Sequence, residues 1–144
     1  MKKLLLFVFL SAAAQASEPS DDQILRFEPS PFQNKELNCQ RHKDVVPRRS
    51  DLVLDHYALL AADNGERVAT ITVTNGASGQ RMFNQEHLVA IIADCSRIYP
   101  QSFELTLAAG QQETFQIYFG RRAQPVLQLI SNNCCLLYTS PSPR

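Results

Sequence analysis

Asp63-Asn64-Gly65-Glu66, followed by Arg67-Val68-Ala69-Thr70-Ile71-Thr72-Val73-Thr74, is the stretch on which the fold turns. Asn-Gly supplies the positive φ angles of a tight hairpin. Beyond it the chain alternates, with Ala69, Ile71 and Val73 on one face and Thr70, Thr72 and Thr74 on the other. A period of two in β-branched residues marks a strand buried on one side. The expectation is a hairpin whose second strand turns its threonines to solvent. Its first strand lies upstream, in Leu52-Val53-Leu54-Asp55-His56-Tyr57-Ala58-Leu59-Leu60.

The same texture continues toward the C-terminus. Leu88-Val89-Ala90-Ile91-Ile92-Ala93 is apolar on both faces, as a central strand must be. Arg97-Ile98-Tyr99 resumes after Asp94-Cys95-Ser96, which places Cys95 at a hairpin tip. Phe103, Leu105 and Leu107 alternate against Ser102, Glu104 and Thr106. After a turn at Ala108–Gln111, Phe115, Ile117 and Phe119 alternate against Thr114, Gln116 and Tyr118, and Leu127 and Leu129 against Val126 and Gln128. The expected core is Leu54, Ile71, Val73, Ile92, Phe103, Leu105, Phe115, Ile117 and Leu129. Turn signals about every ten residues, between runs of this kind, predict an all-β sandwich.

Glu66–Asn75, followed by Leu105–Phe119, carries a resemblance. A strand, a polar loop, Leu107-Ala108-Ala109-Gly110-Gln111 and a second alternating strand are similar to the strand pairs of bacterial immunoglobulin-like modules. The resemblance covers about 51–131 and implies an immunoglobulin-like antiparallel β-sandwich of six to seven strands. Trp is absent, so the Trp packed on an inter-sheet disulfide in antibody domains has no counterpart.

The termini divide the chain further. Lys2 and Lys3, the apolar run Leu4–Leu10 and the Ala14-Gln15-Ala16 site are the three parts of a secretory signal peptide. The apolar run falls far short of the ~20 residues that span a bilayer, so no transmembrane segment is expected after cleavage. The expected compartment is the periplasm, or the medium if the protein is secreted. Residues 17–50 read as a linker and a basic loop with a short first strand near Ile24–Glu28, and 51–133 as the sandwich domain. Cys135-Leu136-Leu137-Tyr138-Thr139-Ser140-Pro141-Ser142-Pro143-Arg144 resembles the translated read-through of a sequencing-library adapter. With Cys134, whose codon would share a base with it, this segment (134–144) is set aside from fold reasoning, and the chain is expected to be a fragment.

The 14 basic residues less Lys2, Lys3 and Arg144 leave 11 against 14 acidic ones in residues 17–133, a formal charge of −3. A dedicated nucleic-acid binder would be strongly basic, so nucleic acid is not an expected partner. Positive charge is concentrated in Arg41, His42, Lys43, Arg48 and Arg49, a candidate contact for a protein or an anionic envelope polymer. Cys39 and Cys95 are a candidate disulfide, because an oxidising compartment leaves neighbouring thiols unreduced. Two separate thiols are the alternative, since a hairpin tip at Cys95 favours Gly or Asn.

Catalytic chemistry finds little support. Cys39-Gln40-Arg41-His42 has the spacing of half a metal site, but the further ligands would have to come from His56, His87 or scattered carboxylates. His87 with Glu86 or Asp94 has the residue types for acid–base work, yet Ser78 and Ser96 lack a Gly-x-Ser-x-Gly elbow. Asp55 and His56, adjacent on a regular strand, would point to opposite faces. No phosphate-cradling or dinucleotide motif is present, and no cofactor is expected. The reading is an exported, non-enzymatic binding or assembly module. The alternatives are an exported metal-handling protein or small hydrolase, and the N-terminal module of a longer envelope protein.

Overall fold

Alternation and turn chemistry produce eleven strands in the computed structural model, which describes residues 17–39 and 45–133. They are β1 (Arg26–Phe27), β2 (Arg49–Ser50), β3 (Leu52–Ala61), β4 (Glu66–Asn75), β5 (Arg81–Asn84), β6 (Val89–Ile92), β7 (Arg97–Ile98), β8 (Glu104–Leu107), β9 (Gln112–Arg121), β10 (Val126–Ile130) and β11 (Asn132–Asn133). Seven of them have four residues or more, and the other four are two-residue bridges. The fold is all-β. Two single 3-10 turns, Asp21–Gln23 and Gln85–His87, are the only helical pieces among the described residues.

One antiparallel sheet has the order β1-β3-β4-β9. The smaller sheets are β10-β6-β7 and β5-β8, both antiparallel, and β11-β2, a two-residue parallel pair. A single core joins them: Ala69, Ile71 and Val73 of β4 and Ile117 and Phe119 of β9 meet Phe83, Ala90, Ile92, Leu107, Val126 and Leu129 from the smaller sheets. The result is sandwich-like, with the large sheet as one layer. Of the expected core, Ile71, Val73, Ile92, Ile117 and Leu129 are buried; Leu54, Phe103, Leu105 and Phe115 are half-buried against it. No helix among the described residues is long and apolar enough to cross a membrane.

Two hairpins close on the same geometry. In the β3–β4 loop Gly65 N donates to Ala62 O and Ala62 N to Glu66 O, both at 3.0 Å. In the β6–β7 loop Cys95 N donates to Ile92 O at 2.8 Å and Ile92 N to Ser96 O at 2.9 Å. Asn64 Oδ1 accepts from Glu66 N, and Asp94 Oδ1 from Ser96 N, each at 2.9 Å. Only the last loop residue takes positive φ, 89° at Gly65 and 69° at Cys95. These are three-residue loops ending in a left-handed residue, not the two-residue turn expected at Asn64-Gly65. Cys95 therefore occupies the position that its sister loop gives to glycine.

Two faces differ from the alternating expectation. Thr72 is buried, and its hydroxyl shares a 2.8 Å hydrogen bond with that of Thr114 across the β4–β9 pair. A short side chain on a central strand, flanked by residues of both neighbours, is covered even on the outer face. In β10 a bulge between Val126 and Gln128 resets the alternation, so Val126 joins Leu129 in the core, while Gln128 on the other face is buried under the segment after β1. The Gln128 amide is satisfied there, donating to Phe32 O at 3.1 Å and Lys35 O at 2.6 Å. It fastens the segment after β1 across the sheet.

Candidate binding edge and the disulfide loop

The hairpin tip determines where the N-terminal loop is held. Cys39 and Cys95 are bonded, with Cα atoms 5.6 Å apart, and Cys39 is buried. A disulfide sulfur is not a thiolate ligand, so the Cys39–His42 half-site loses its stronger donor. Of the basic cluster, Arg41, His42 and Lys43 lie outside the described residues. Arg48 pairs with Glu86 (Nη2–Oε2 2.5 Å), and its backbone N donates to Glu86 O at 2.7 Å. Arg49 is exposed in β2, opposite Asn132 of β11.

His87 is engaged in structure. Asn84 Oδ1 accepts from Glu86 N, and Asn84 N donates to His87 Nδ1, both at 3.1 Å, which makes a capping box on the 3-10 turn. The ring lies 5.7 Å from that of Phe83. Glu86 is held by Arg48, and Asp94 Oδ1 accepts from Ser96 N at the hairpin tip. Burial lowers the imidazole pKa below its ordinary value; the Asn84 carbonyl contact opposes this, Arg48 adds to it and Glu86 opposes it. A histidine harder to protonate when folded stabilises fully above the unfolded value of about 6.5, and this is lost as pH falls toward the folded pKa. Urea midpoints are therefore expected to fall as pH drops below about 6.5. His87→Gln should flatten that part of the profile; an unchanged slope would show that His87 is not the group responsible.

Asp55 and His56 correct the expectation of opposite faces. A bulge between Leu54 and His56 interrupts the β3–β4 register. Asp55 Oδ2 accepts from Thr74 Oγ1 at 2.6 Å and Gln112 Nε2 at 3.2 Å, which places it on the threonine face that His56 shares through its partner Thr72. Among the described residues no group of three or more His, Cys, Asp or Glu side chains is placed to hold a metal ion.

The two edges of the large sheet are unlike each other. On the β3 side, β1 pairs with Leu60 and Ala61, Glu28 N donates to Leu59 O at 2.9 Å, and Gln33 Nε2 donates to Tyr57 O. Tyr57 completes that seal: its hydroxyl donates to Gln33 O at 3.3 Å and accepts from Leu129 N at 3.2 Å. Strap and bulge together blunt this edge. On the β9 side only Tyr118 O is taken, by Gln101 N at 2.7 Å. Lateral direction alternates along a strand, so the N–H and C=O groups of Gln112, Thr114 and Gln116 point the same way as Tyr118 O. Among the described residues nothing bonds to them. The side chains over this edge are Gln, Thr, Gln and Tyr, with no Lys, Pro or bulge between Gln112 and Tyr118.

The sequence marks β9 as an alternating strand but does not mark it as an edge. Its uncharged outward face was the available signal. Comparison with protein-family models, with curated proteins and with solved structures finds no significant match.

Proposed function

We propose that this chain is an exported, non-enzymatic module of the bacterial envelope, with an immunoglobulin-like sandwich that binds an extended segment of a partner protein along β9. The observation that carries the reading is the edge from Gln112 to Gln116, unpaired among the described residues, beside an opposite edge blunted by strap and bulge. A strand added there gains main-chain hydrogen bonds over about 17 Å. Natural edges that stay unpaired carry charge, proline or a bulge, and this stretch of β9 has only Glu113. The Cys39–Cys95 bond supports an oxidising compartment.

A photo-reactive side chain at position 116, in cells of the source organism, tests the reading. One adduct of defined mass is expected. Thr114→Pro should abolish it, because the outward N–H is gone, while Thr114→Val should keep it. Proline is tolerated on an edge whose N–H faces away from the ladder, so Thr114→Pro should still fold; Gln116→Pro, with the probe moved to 114, is the second variant. No adduct, or one indifferent to both prolines, would refute strand addition.

A further inference from the structure

At the far end of β9 the chain builds a different surface. A cleft of about 670 Å³ is lined by Arg26, Phe27, Asp63, Asn64, Arg121 and Arg122, with Arg67 in its wall. A second, of about 370 Å³, shares Arg121, Arg122 and Ala123 with it and extends past Asp94, Ser96 and Gln124. The two clefts adjoin at the pair of arginines, which line both and make the middle of a trough.

The wall is built to hold one of these arginines still. Arg67 pairs with Glu28 (Nη1–Oε1 2.7 Å), and its Nε donates to Arg122 O at 3.3 Å. Arg122 N donates to Gly65 O at 2.8 Å, and Arg122 Nε to Phe119 O at 3.2 Å. Backbone and Nε are thus fixed, and the two Nη groups have no partner among the described residues. Arg121 is exposed, and its guanidinium makes no ion pair or hydrogen bond among the described residues. Arg26 is held loosely to Asp63, at 3.5 Å, with both side chains largely exposed. Phe27 is 77% exposed on the two-residue β1 and contributes little to the core.

We propose that this trough binds an acidic polysaccharide. A planar guanidinium with free Nη groups suits a carboxylate, which it takes through two parallel hydrogen bonds. The exposed phenyl face suits the apolar C–H face of a pyranose ring, whose edge hydrogens meet the negative π surface. Asp63 and Asn64 accept from sugar hydroxyls and disfavour a dense polyanion. Two open clefts meeting at Arg121 and Arg122 fit a linear polymer better than a small ion. Arg67 is a positioning residue here, since it acts on the ligand only through Arg122.

The test titrates the purified chain with oligogalacturonate at low salt, beside the methyl-esterified oligomer and polyglutamate. The carboxylated sugar is expected to bind, with affinity falling as salt rises and at least about tenfold above the ester. Arg121→Gln and Arg122→Gln should each weaken it about tenfold, whereas Arg81→Gln, on β5 and outside both clefts, should not. Arg121→Gln breaks no contact of the fold and serves if Arg122→Gln unfolds. Phe27→Ala should also weaken binding. The proposal is overturned by absence of binding, by equal binding of the ester, by indifference to Arg121→Gln, or by polyglutamate binding as tightly as the sugar.

Discussion

Phe83→Ala is expected to lower the stability of the fold by ~3–5 kcal/mol, a large part of the 5–15 kcal/mol typical of a domain. Phe83, on β5, is the largest fully buried side chain among the described residues, 1% exposed. Its ring meets Phe103 edge-on at 5.2 Å and Phe115 at 5.9 Å, and lies 5.7 Å from His87. Phe115 and Phe103 also meet, at 5.6 Å, so the three phenyl rings form a closed set. Removing the central ring leaves a cavity that half-buried neighbours close only in part. Phe115→Ala opens onto partly exposed surface and should cost clearly less. Urea unfolding of the two variants ranks them; a Phe115→Ala cost equal to or above that of Phe83→Ala would place the centre of the core elsewhere.

That ranking reverses the emphasis the sequence suggests, and the reason is physical. Period-two alternation identifies Phe115 as inward, yet inward is not the same as covered, and cover depends on the opposite layer. Phe83 sits in the short run Arg81–Asn84, too brief for a period to show. Asn75 makes the same point for polar groups. Beside Gly76 it reads as a turn residue, but it is fully buried at the end of β4. Its Nδ2 donates to Gly79 O, Leu107 O and Ala108 O at 2.9–3.1 Å, and its Oδ1 accepts from Ala77 N at 3.0 Å. Two of those partners, Leu107 and Ala108, lie 32 and 33 residues away, outside any local window.

What was legible follows the same logic. The β3–β4 and β6–β7 hairpins are contacts between neighbours in sequence, and their turn residues and alternation give them away. The bulges at Asp55 and Leu127 shift a register by one residue, which turns side chains to the other face without altering composition. The binding surfaces are less legible still. Arg26, Arg67, Arg121 and Arg122 are scattered in the chain and converge only through the β1-β3-β4-β9 order, whereas the sequence drew attention to the contiguous Arg41–Arg49 run.

Opening the Cys39–Cys95 bond is expected to remove about 4 kcal/mol of stability in the chain-entropy model, because it closes a loop with a sequence separation of 56. The sandwich should stay folded, since its core and sheets do not pass through the bond. The segment after Cys39 keeps two ties to the β7 region, Arg97 Nη1 to Val45 O at 3.3 Å and Tyr99 Oη to Val46 O at 3.0 Å. Urea unfolding of the oxidised protein against the reduced one measures the loss; equal midpoints would mean that the bond constrains nothing in the unfolded chain. The replacement chosen at position 95 then separates bond from backbone. Cys95 is the only described non-glycine residue at positive φ, in the loop position filled by Gly65 in the sister hairpin. A left-handed residue with a Cβ costs roughly 1–2 kcal/mol, partly offset in a glycine variant by its freer unfolded chain. Cys39→Ser/Cys95→Gly should therefore exceed Cys39→Ser/Cys95→Ser in stability by about 0.5–1 kcal/mol. If the serine variant is equally stable, the tip abandons its left-handed conformation once the bond is gone, and the disulfide, not the hairpin closure, sets that conformation.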